Sequence, residues 1–433
     1  MYLKIMKVRF LLLAVPVLFL FSSCESAHEQ MKSKDSLVNS AHLDSLYEQI
    51  NVNDKVMGII HIYSDYPSYK WISDDDEGAA CVDDAARAAV FYLKEYDLRK
   101  DTAALAKAEK LIEFLLFMQS DNGFFYNFIF DDNTINKTHK NSINIAGWWS
   151  WRAMWALSEG YGIIKGIDPD LSGRIAVSLG KAVNAAEKSF PVEQKTRNVE
   201  GVEIPEWLPD ESASDQSAVL LLAFLNVFEQ TKDSVVLRYA DKLCDGILLM
   251  QKGGSEEIPY GAFLSWENIW HAYGSSQSYA LLKASRILKR TDIRFAAIKE
   301  INFFYDYLLK KNFLSSFEIT KAGSSYNFSK EERFSQIAYG IRPMIFSCLE
   351  AFSITGDSAF SSKAAKIAGW FFGQNPANAR MYNPANGICY DGINSAEEVN
   401  LNSGAESTIE ALLSMQMLEQ YGLSNSIMKQ NLE

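Results

Sequence analysis

Eight carboxylates lie at points where a chain of this pattern would pass from loop into helix. Asp83 and Asp84 stand together in Cys81-Val82-Asp83-Asp84-Ala85-Ala86-Arg87, and Glu206, Asp210 and Glu211 crowd the segment from Pro205, with Asp215 just beyond. Glu267 sits in Ser265-Trp266-Glu267-Asn268-Ile269-Trp270-His271, and Glu406 follows Asn402-Ser403-Gly404-Ala405. Breaking a glycosidic bond needs one carboxylic acid to protonate the leaving oxygen and one carboxylate to activate water or attack carbon. The two must be held differently, the acid buried beside aromatic rings and its partner kept ionised in a more polar setting. Glu267, between Trp266 and Trp270, fits the acid, and Asp84, beside Asp83 and one turn before Arg87, fits the partner. Asp83 and Glu406 complete the catalytic candidates. Capping is the competing use of Asp83 and Asp215, because an acid at a helix start accepts orphan N–H groups and meets the positive end of the dipole.

The apolar CH face of a sugar is bound by flat rings rimmed with hydrogen-bonding groups. Trp148, Trp149 and Trp266, at loop-to-helix junctions, and Trp207, in a proline-flanked loop, are candidates for this role. Tyr273 and Tyr390 add further rings, whereas Trp151 and Trp155, at helical spacing, are expected to pack. His271 is placed to orient a hydroxyl or a catalytic acid. No His or Cys pair has metal-ligand spacing, and neither a G-x-S-x-G elbow nor a phosphate-binding glycine loop is present. The acidic run Ser73 to Glu77 reads as a solvated turn, so neither metal nor cofactor is expected.

Apolar residues at three- and four-residue spacing predict twelve helices, starting near residues 37, 83, 103, 147, 170, 214, 233, 270, 292, 335, 358 and 404, with no strand-rich region. The first carries Leu43, Leu46, Tyr47 and Ile50 on one stripe. Short links such as Arg99 to Thr102, Thr231-Lys232 and Ser353 to Asp357 join antiparallel neighbours. Long segments, 51–82, 120–146, 190–213, 251–269, 313–334 and 374–403, precede every even-numbered helix and must emerge at one end. This alternation predicts an all-α (α/α)6 toroid of six helical hairpins, with inner helices opening into a cleft. An open helical solenoid is the alternative, and the gathering of acids and indoles at one end favours the ring.

The beginning of the chain sets an address. Lys4, Lys7 and Arg9 precede an apolar run from Phe10 to Phe21, too short to span a bilayer as a helix, and then Ser22-Ser23-Cys24. Residues 1–23 therefore read as a secretion signal, Cys24 as a lipidation site, 24–36 as a tether and 37–425 as one toroid domain. Membrane attachment is expected through the lipid alone. The remaining cysteines, 81, 244, 348 and 389, read as packing residues. A formal charge of −12, more negative once the signal is lost, argues against nucleic acid as a partner.

Several segments together resemble the six-hairpin glycosidase superfamily, in particular glycosidase-like toroids found alone or beside glycosyltransferases. They are VDDAARA from Val82, QSDNGFFYNF from Gln119, RAMWAL from Arg152, LSWENIWHAYG from Leu264, YDG from Tyr390 and NSGAEST from Asn402. The resemblance implies that Asp83, Asp84, Asn127, the Trp266 to His271 block, Asp391 and Glu406 face a central cleft. The chain departs from that pattern before Arg152, where it reads NIAGWWSW from Asn144 in place of acidic residues and a histidine. Stacking is expected there instead of proton transfer. The favoured expectation is a glycoside hydrolase-like protein acting on oligosaccharides through a carboxylate pair. A uronate lyase or epimerase, using Tyr or His with Arg87, Arg152 or Arg333 to hold a sugar acid, is a second. A lipoprotein that binds glycans without turning them over is a third.

Overall fold

The computed structural model describes residues 36–431. The expected signal segment, Cys24 and nearly all of the tether lie outside the described residues. Among the described residues there are thirteen α-helices: α1 (Ala41–Leu46), α2 (Val82–Arg99), α3 (Thr102–Phe117), α4 (Trp148–Ile164), α5 (Pro169–Ser189), α6 (Ser214–Thr231), α7 (Ser234–Met250), α8 (Gln277–Leu288), α9 (Thr291–Lys311), α10 (Ala338–Thr355), α11 (Ser358–Ala368), α12 (Ala405–Gln420) and α13 (Ser424–Asn431). The even-numbered helices form the inner ring. Each packs against the next, and α12 packs back against α2, so the array closes and the solenoid alternative is excluded. Helices α3, α5, α7, α9 and α11 each pack outside the inner helix that precedes them. The sixth outer place is shared by α1, against α12, and α13, against α11.

The two rings start their helices differently. Asp101, Asp168, Asp233 and Asp357 cap α3, α5, α7 and α11 with their own carboxylates, accepting N–H groups of the first turn. Gly147, Ala213, Ser276, Ile337 and Gly404, before the inner helices α4, α6, α8, α10 and α12, make no such side-chain bond. The inner N-termini therefore keep unsatisfied donors and partial positive charge for whatever the long loops bring to them. Inner helices such as α4 and α10 are buried on nearly every face, as expected of helices enclosed by an outer layer.

Two elements differ from the sequence reading. The first predicted helix ends at Leu46, and Tyr47–Val52 instead pairs as a strand with Lys55–Ile60, whose Met57, Ile59 and Ile60 are buried. The stripe Leu43, Leu46, Tyr47 and Ile50 is equally satisfied by a single helical turn followed by an alternating strand. The helix predicted at 270 begins at Gln277, because Ile269–His271 pairs with Ser316–Glu318 beside the hairpin Ser316–Ala322/Ser325–Glu332. The long loops thus bear short strands, which the sequence reading did not place; hairpins join 63–65 to 70–72, 196–199 to 202–205 and 392–393 to 399–400, and 80–81 pairs across α2 and α3 with 128–129. The four cysteines are buried and unpaired, and Trp151 and Trp155 are buried, as expected.

Ring closure is reinforced by ions. Glu410 of α12, fully buried, accepts from Arg87 of α2 at 3.2 Å and from Arg342 of α10. Removing one partner from a buried ionic group leaves the others uncompensated, at a cost of about 3 to 5 kcal/mol. Glu410→Leu is expected to lower stability by roughly that amount in urea denaturation, and an unchanged midpoint would show the ring closing without this cluster.

Candidate active site at the inner helix N-termini

Arg87 organises the α2–α12 side of the mouth. Its Nη2 donates to Asp84 Oδ1 at 2.7 Å, and its Nη1 reaches Glu406 Oε2 at 2.9 Å as well as Glu410. Asp84 also accepts from the Cys81 thiol at 3.1 Å. Burial raises the Asp84 carboxyl to about 6 despite the opposing charge of Arg87. Glu406 differs: its side chain is 43% exposed while still tied to Arg87. The termini of α2 and α12 therefore share one rim.

Asp83 faces the next inner helix. Its Oδ2 accepts from Arg152 Nη1 of α4 at 2.6 Å, and its side chain remains 19% exposed. Asn127 holds this helix start from a distance, its Oδ1 accepting the Asp83 N–H at 3.2 Å. Arg152 donates in turn to the Tyr339 hydroxyl at 2.9 Å and lies 4.7 Å from the Trp148 ring centroid. The Tyr339 ring has the guanidiniums of Arg87, Arg152 and Arg342 around it at 5.1, 5.2 and 5.4 Å. Four carboxylates, Asp83, Asp84, Glu406 and Glu410, are thus bound to three arginines from α2, α4 and α10.

The loop before α8 joins the same mouth. Gly274 has φ +72°, and a Cβ there would lie 2.9 Å from the Trp148 ring and 3.1 Å from the Tyr339 hydroxyl, so only glycine allows this approach. Tyr273, 46% exposed, stacks on His271 with centroids 3.7 Å apart. His271 Nε2 meets Asp215 Oδ2 at 3.0 Å, and its Nδ1 meets the Tyr273 carbonyl at 2.9 Å. Each ring nitrogen consequently faces an acceptor. On the opposite flank, Asp391 accepts from the Gly404 N–H and the Ser407 hydroxyl, both at 2.7 Å, capping α12 beside Glu406. Burial raises its pKa, and the charge of Glu406 adds to the effect. Tyr390, half-buried, precedes it.

Several expected settings are not the ones found. Glu267 does not lie between two indoles: it pairs with Arg197 at 2.7 Å, while Trp270 is buried against Phe317 and Phe304. Strand pairing of Ile269–His271 turns Trp270 away from the residues around Glu267. The desolvated carboxyl is Asp84, which had been expected to be the polar partner. Trp266 is 36% exposed and donates to the Asp210 carbonyl at 3.3 Å, on the Arg197 side. Trp149 is interior, its indole donating to the carbonyls of Phe125 at 2.7 Å and Ile143 at 3.1 Å. Trp207 is interior too, bonded to the Lys242 carbonyl of α7 at 3.2 Å. Arg342, Glu410 and Tyr339 were not anticipated. One signal was local: Asp83 with Arg87 is an opposite-charge pair at i, i+4, and Glu406 with Glu410 puts two carboxylates on one face of α12, which calls for a cation from a neighbouring helix. Among the described residues, no group of three His, Cys, Asp or Glu side chains is arranged to hold a metal ion.

The Asp84 shift has a consequence for stability. Its folded pKa lies above the ordinary 3.8, so the folded state holds a proton that the unfolded state releases, and the associated stability is lost as pH rises from about 4 to 6. Asp84→Asn removes this dependence. Relative to the unaltered protein, the variant is expected to gain on the order of 3 kcal/mol between those limits and nothing further above them; parallel unfolding curves across that range would contradict the assignment.

No family model matches the sequence, and no curated protein matches it. Solved structures do. Cellobiose 2-epimerase from Bacillus thermoamylovorans B4167 superposes with a TM-score of 0.62 at 12% identity, covering 88% of this chain and 95% of that one. A family 76 glycoside hydrolase from a bovine Bacteroides thetaiotaomicron strain gives 0.57 at 11% identity, covering 89% and 79%. A D-mannose isomerase gives 0.56 at 13% identity, covering 83% and 91%. Closure of α12 on α2 and these likenesses lead to one conclusion: the chain has the (α/α)6 toroid fold, as expected from the alternation of its links.

Proposed function

We propose that the protein hydrolyses glycosidic bonds in oligosaccharides at the mouth of the toroid, with Asp83 and Glu406 as the reacting carboxylates. One observation carries this reading. Asp83 and Glu406 are carboxylates on adjacent inner helices, each fixed by a buried arginine; Glu406 is 43% exposed and Asp83 19%, with the Asp83 Oδ1 buried and left without a partner. In hydrolysis one of them protonates the leaving oxygen and the other activates water or attacks the anomeric carbon. Asp84 is a positioning residue, since it acts on Glu406 through their shared Arg87. Trp148, at the start of α4, and Tyr273, in the loop before α8, are partly exposed and supply faces for a sugar ring. The solved structures that share the fold include a glycoside hydrolase, which supports sugar as the substrate class.

Epimerisation or isomerisation is a second reading, favoured by the His271–Asp215 pair and by the epimerase and isomerase among the similar structures. A base must offer a free lone pair, whereas both nitrogens of His271 already face acceptors. A uronate lyase meets a further obstacle. Arg87 and Arg152 are committed to carboxylates, and Arg333 is exposed with its guanidinium over the neighbouring Phe334 ring.

The hydrolytic reading is tested with Asp83→Asn and Glu406→Gln on cello- and manno-oligosaccharides. Each change is expected to cut release of reducing ends at least a hundredfold while glycan binding stays measurable by calorimetry. Undiminished release would remove that residue from the reaction. Epimeric product without new reducing ends would select the second reading, and binding without turnover by the unaltered protein would make it a glycan-capturing protein.

The proposal includes export and attachment to a membrane through a lipid on Cys24. Its support is the apolar run ending in Ser22-Ser23-Cys24. Labelled fatty acid is expected in the full-length protein and absent from Cys24→Ala; equal labelling of the two would sink the anchor.

A further inference from the structure

The hairpin of Tyr63–Asp65 and Lys70–Ile72 stands on the rim beside α12. Backbone bonds tie it to that helix start, from Ser403 N–H to the Ser64 carbonyl at 3.1 Å and from Ala405 N–H to the Ile62 carbonyl at 2.9 Å. Asn402 fastens its tip twice, accepting the Tyr66 N–H at 3.0 Å and donating to Asp65 at 2.9 Å. A turn held in this way presents its side chains in a fixed relation to Glu406.

The side chains it presents are aromatic. Tyr66 is 53% exposed and meets Tyr69 edge to face, with centroids 5.9 Å apart. Tyr69 is partly buried, meeting the buried His42 ring edge to face with centroids 5.8 Å apart, whereas Tyr66 turns outward. Burial raises the pKa of the Tyr69 hydroxyl, and Tyr390 and the charge of Asp391 add to the effect. Tyr66 and Tyr69 on the hairpin, and Tyr390 and Asp391 in the segment bonded to Asn402 and Gly404, thus flank the same α12 start that carries Glu406.

Two kinds of occupant would cover the exposed Tyr66 ring and the partly exposed rings of Tyr69 and Tyr390. An apolar protein surface would bury Asp65, Asn402 and Asp391 along with the rings and leave their remaining polar atoms without partners, which is costly. A pyranose presents CH groups to the ring faces and hydroxyls to the surrounding amide and carboxylates, so nothing is left unpaired. We propose that Tyr66, Tyr69 and Tyr390 form an outer sugar subsite, and that the substrate is a chain leaving the mouth past Glu406 and over this hairpin. This inference rests on the glycan reading of the mouth and adds to it the direction and length of the bound chain.

The test uses the full-length protein and cello- and manno-oligosaccharides from disaccharide to hexasaccharide, with KM and kcat read from reducing-end release. A disaccharide held at the mouth does not reach the hairpin and serves as the internal reference. The unaltered protein is expected to show a KM that falls as the chain lengthens. The double variant Tyr66→Ala/Tyr69→Ala should lose that gain, with a KM on the hexasaccharide raised roughly tenfold, about one aromatic contact, and an unchanged kcat/KM on the disaccharide. Tyr66→Phe/Tyr69→Phe, which keeps the rings, should retain most of the gain. Identical chain-length dependence in the alanine variant and the unaltered protein would overturn the subsite while leaving hydrolysis at the mouth intact. Failure of the unaltered protein to turn over any member of either series would overturn both.

Discussion

Arg87 is a buried cation shared by three carboxylates, Asp84 on its own helix and Glu406 and Glu410 on α12. A guanidinium removed from water must be paired on every side, and its planar fork suits several carboxylates at once. Because its partners come from the first and last inner helices, the same group that closes the ring also sets the rim. Glu406 is held where its exposed edge faces outward, and Asp84 is drawn into a desolvated position that raises its pKa. Arg152 repeats the arrangement between α4 and α2 by fixing Asp83. Tyr339 lies among the guanidiniums, its ring giving each a polarisable face.

The division between rings explains why chemistry gathers at one end. Outer helices mostly begin after tight turns and carry their own aspartate caps, so their ends are finished locally. Inner helices begin after long loops and draw their partners from far along the chain, as Asn127 does for α2 and Asp391 for α12. Carboxylates collect there because helix N-termini favour negative charge. The arrangement has a cost in buried ionic groups, which is met by arginines supplied from neighbouring helices.

Most helix starts were legible from the apolar period, after long and short links alike: residues 83, 214 and 358 of the sequence reading fall within one residue of Val82, Ser214 and Ser358. The strands were not. Pairs such as Ile269–His271 with Ser316–Glu318 join segments far apart in sequence, and nothing within either segment announces the other. The same blindness misplaced side chains. Trp149 and Trp207 look like cleft residues in a list of junctions, yet each indole N–H is consumed by a carbonyl of the interior. Glu267 between two tryptophans looks desolvated, yet a strand turns one indole away and Arg197 arrives from a separate hairpin. Asp83, Asp84 and Glu406 were legible because each stands at a loop-to-helix junction, with Arg87 one turn beyond the aspartates. Which helix supplied each partner became visible only with the ring closed.

The central claim is that carboxylates from α2 and α12 act on one sugar at a common mouth. A crystal structure of the Asp83→Asn protein soaked with cellohexaose tests it most directly. The account predicts a pyranose ring between residue 83 and Glu406, with the two side-chain termini roughly 5 to 9.5 Å apart, the range that spans direct attack and water-mediated displacement. Sugar bound only on the outer helices, or termini too far apart to reach one glycosidic bond, would contradict it.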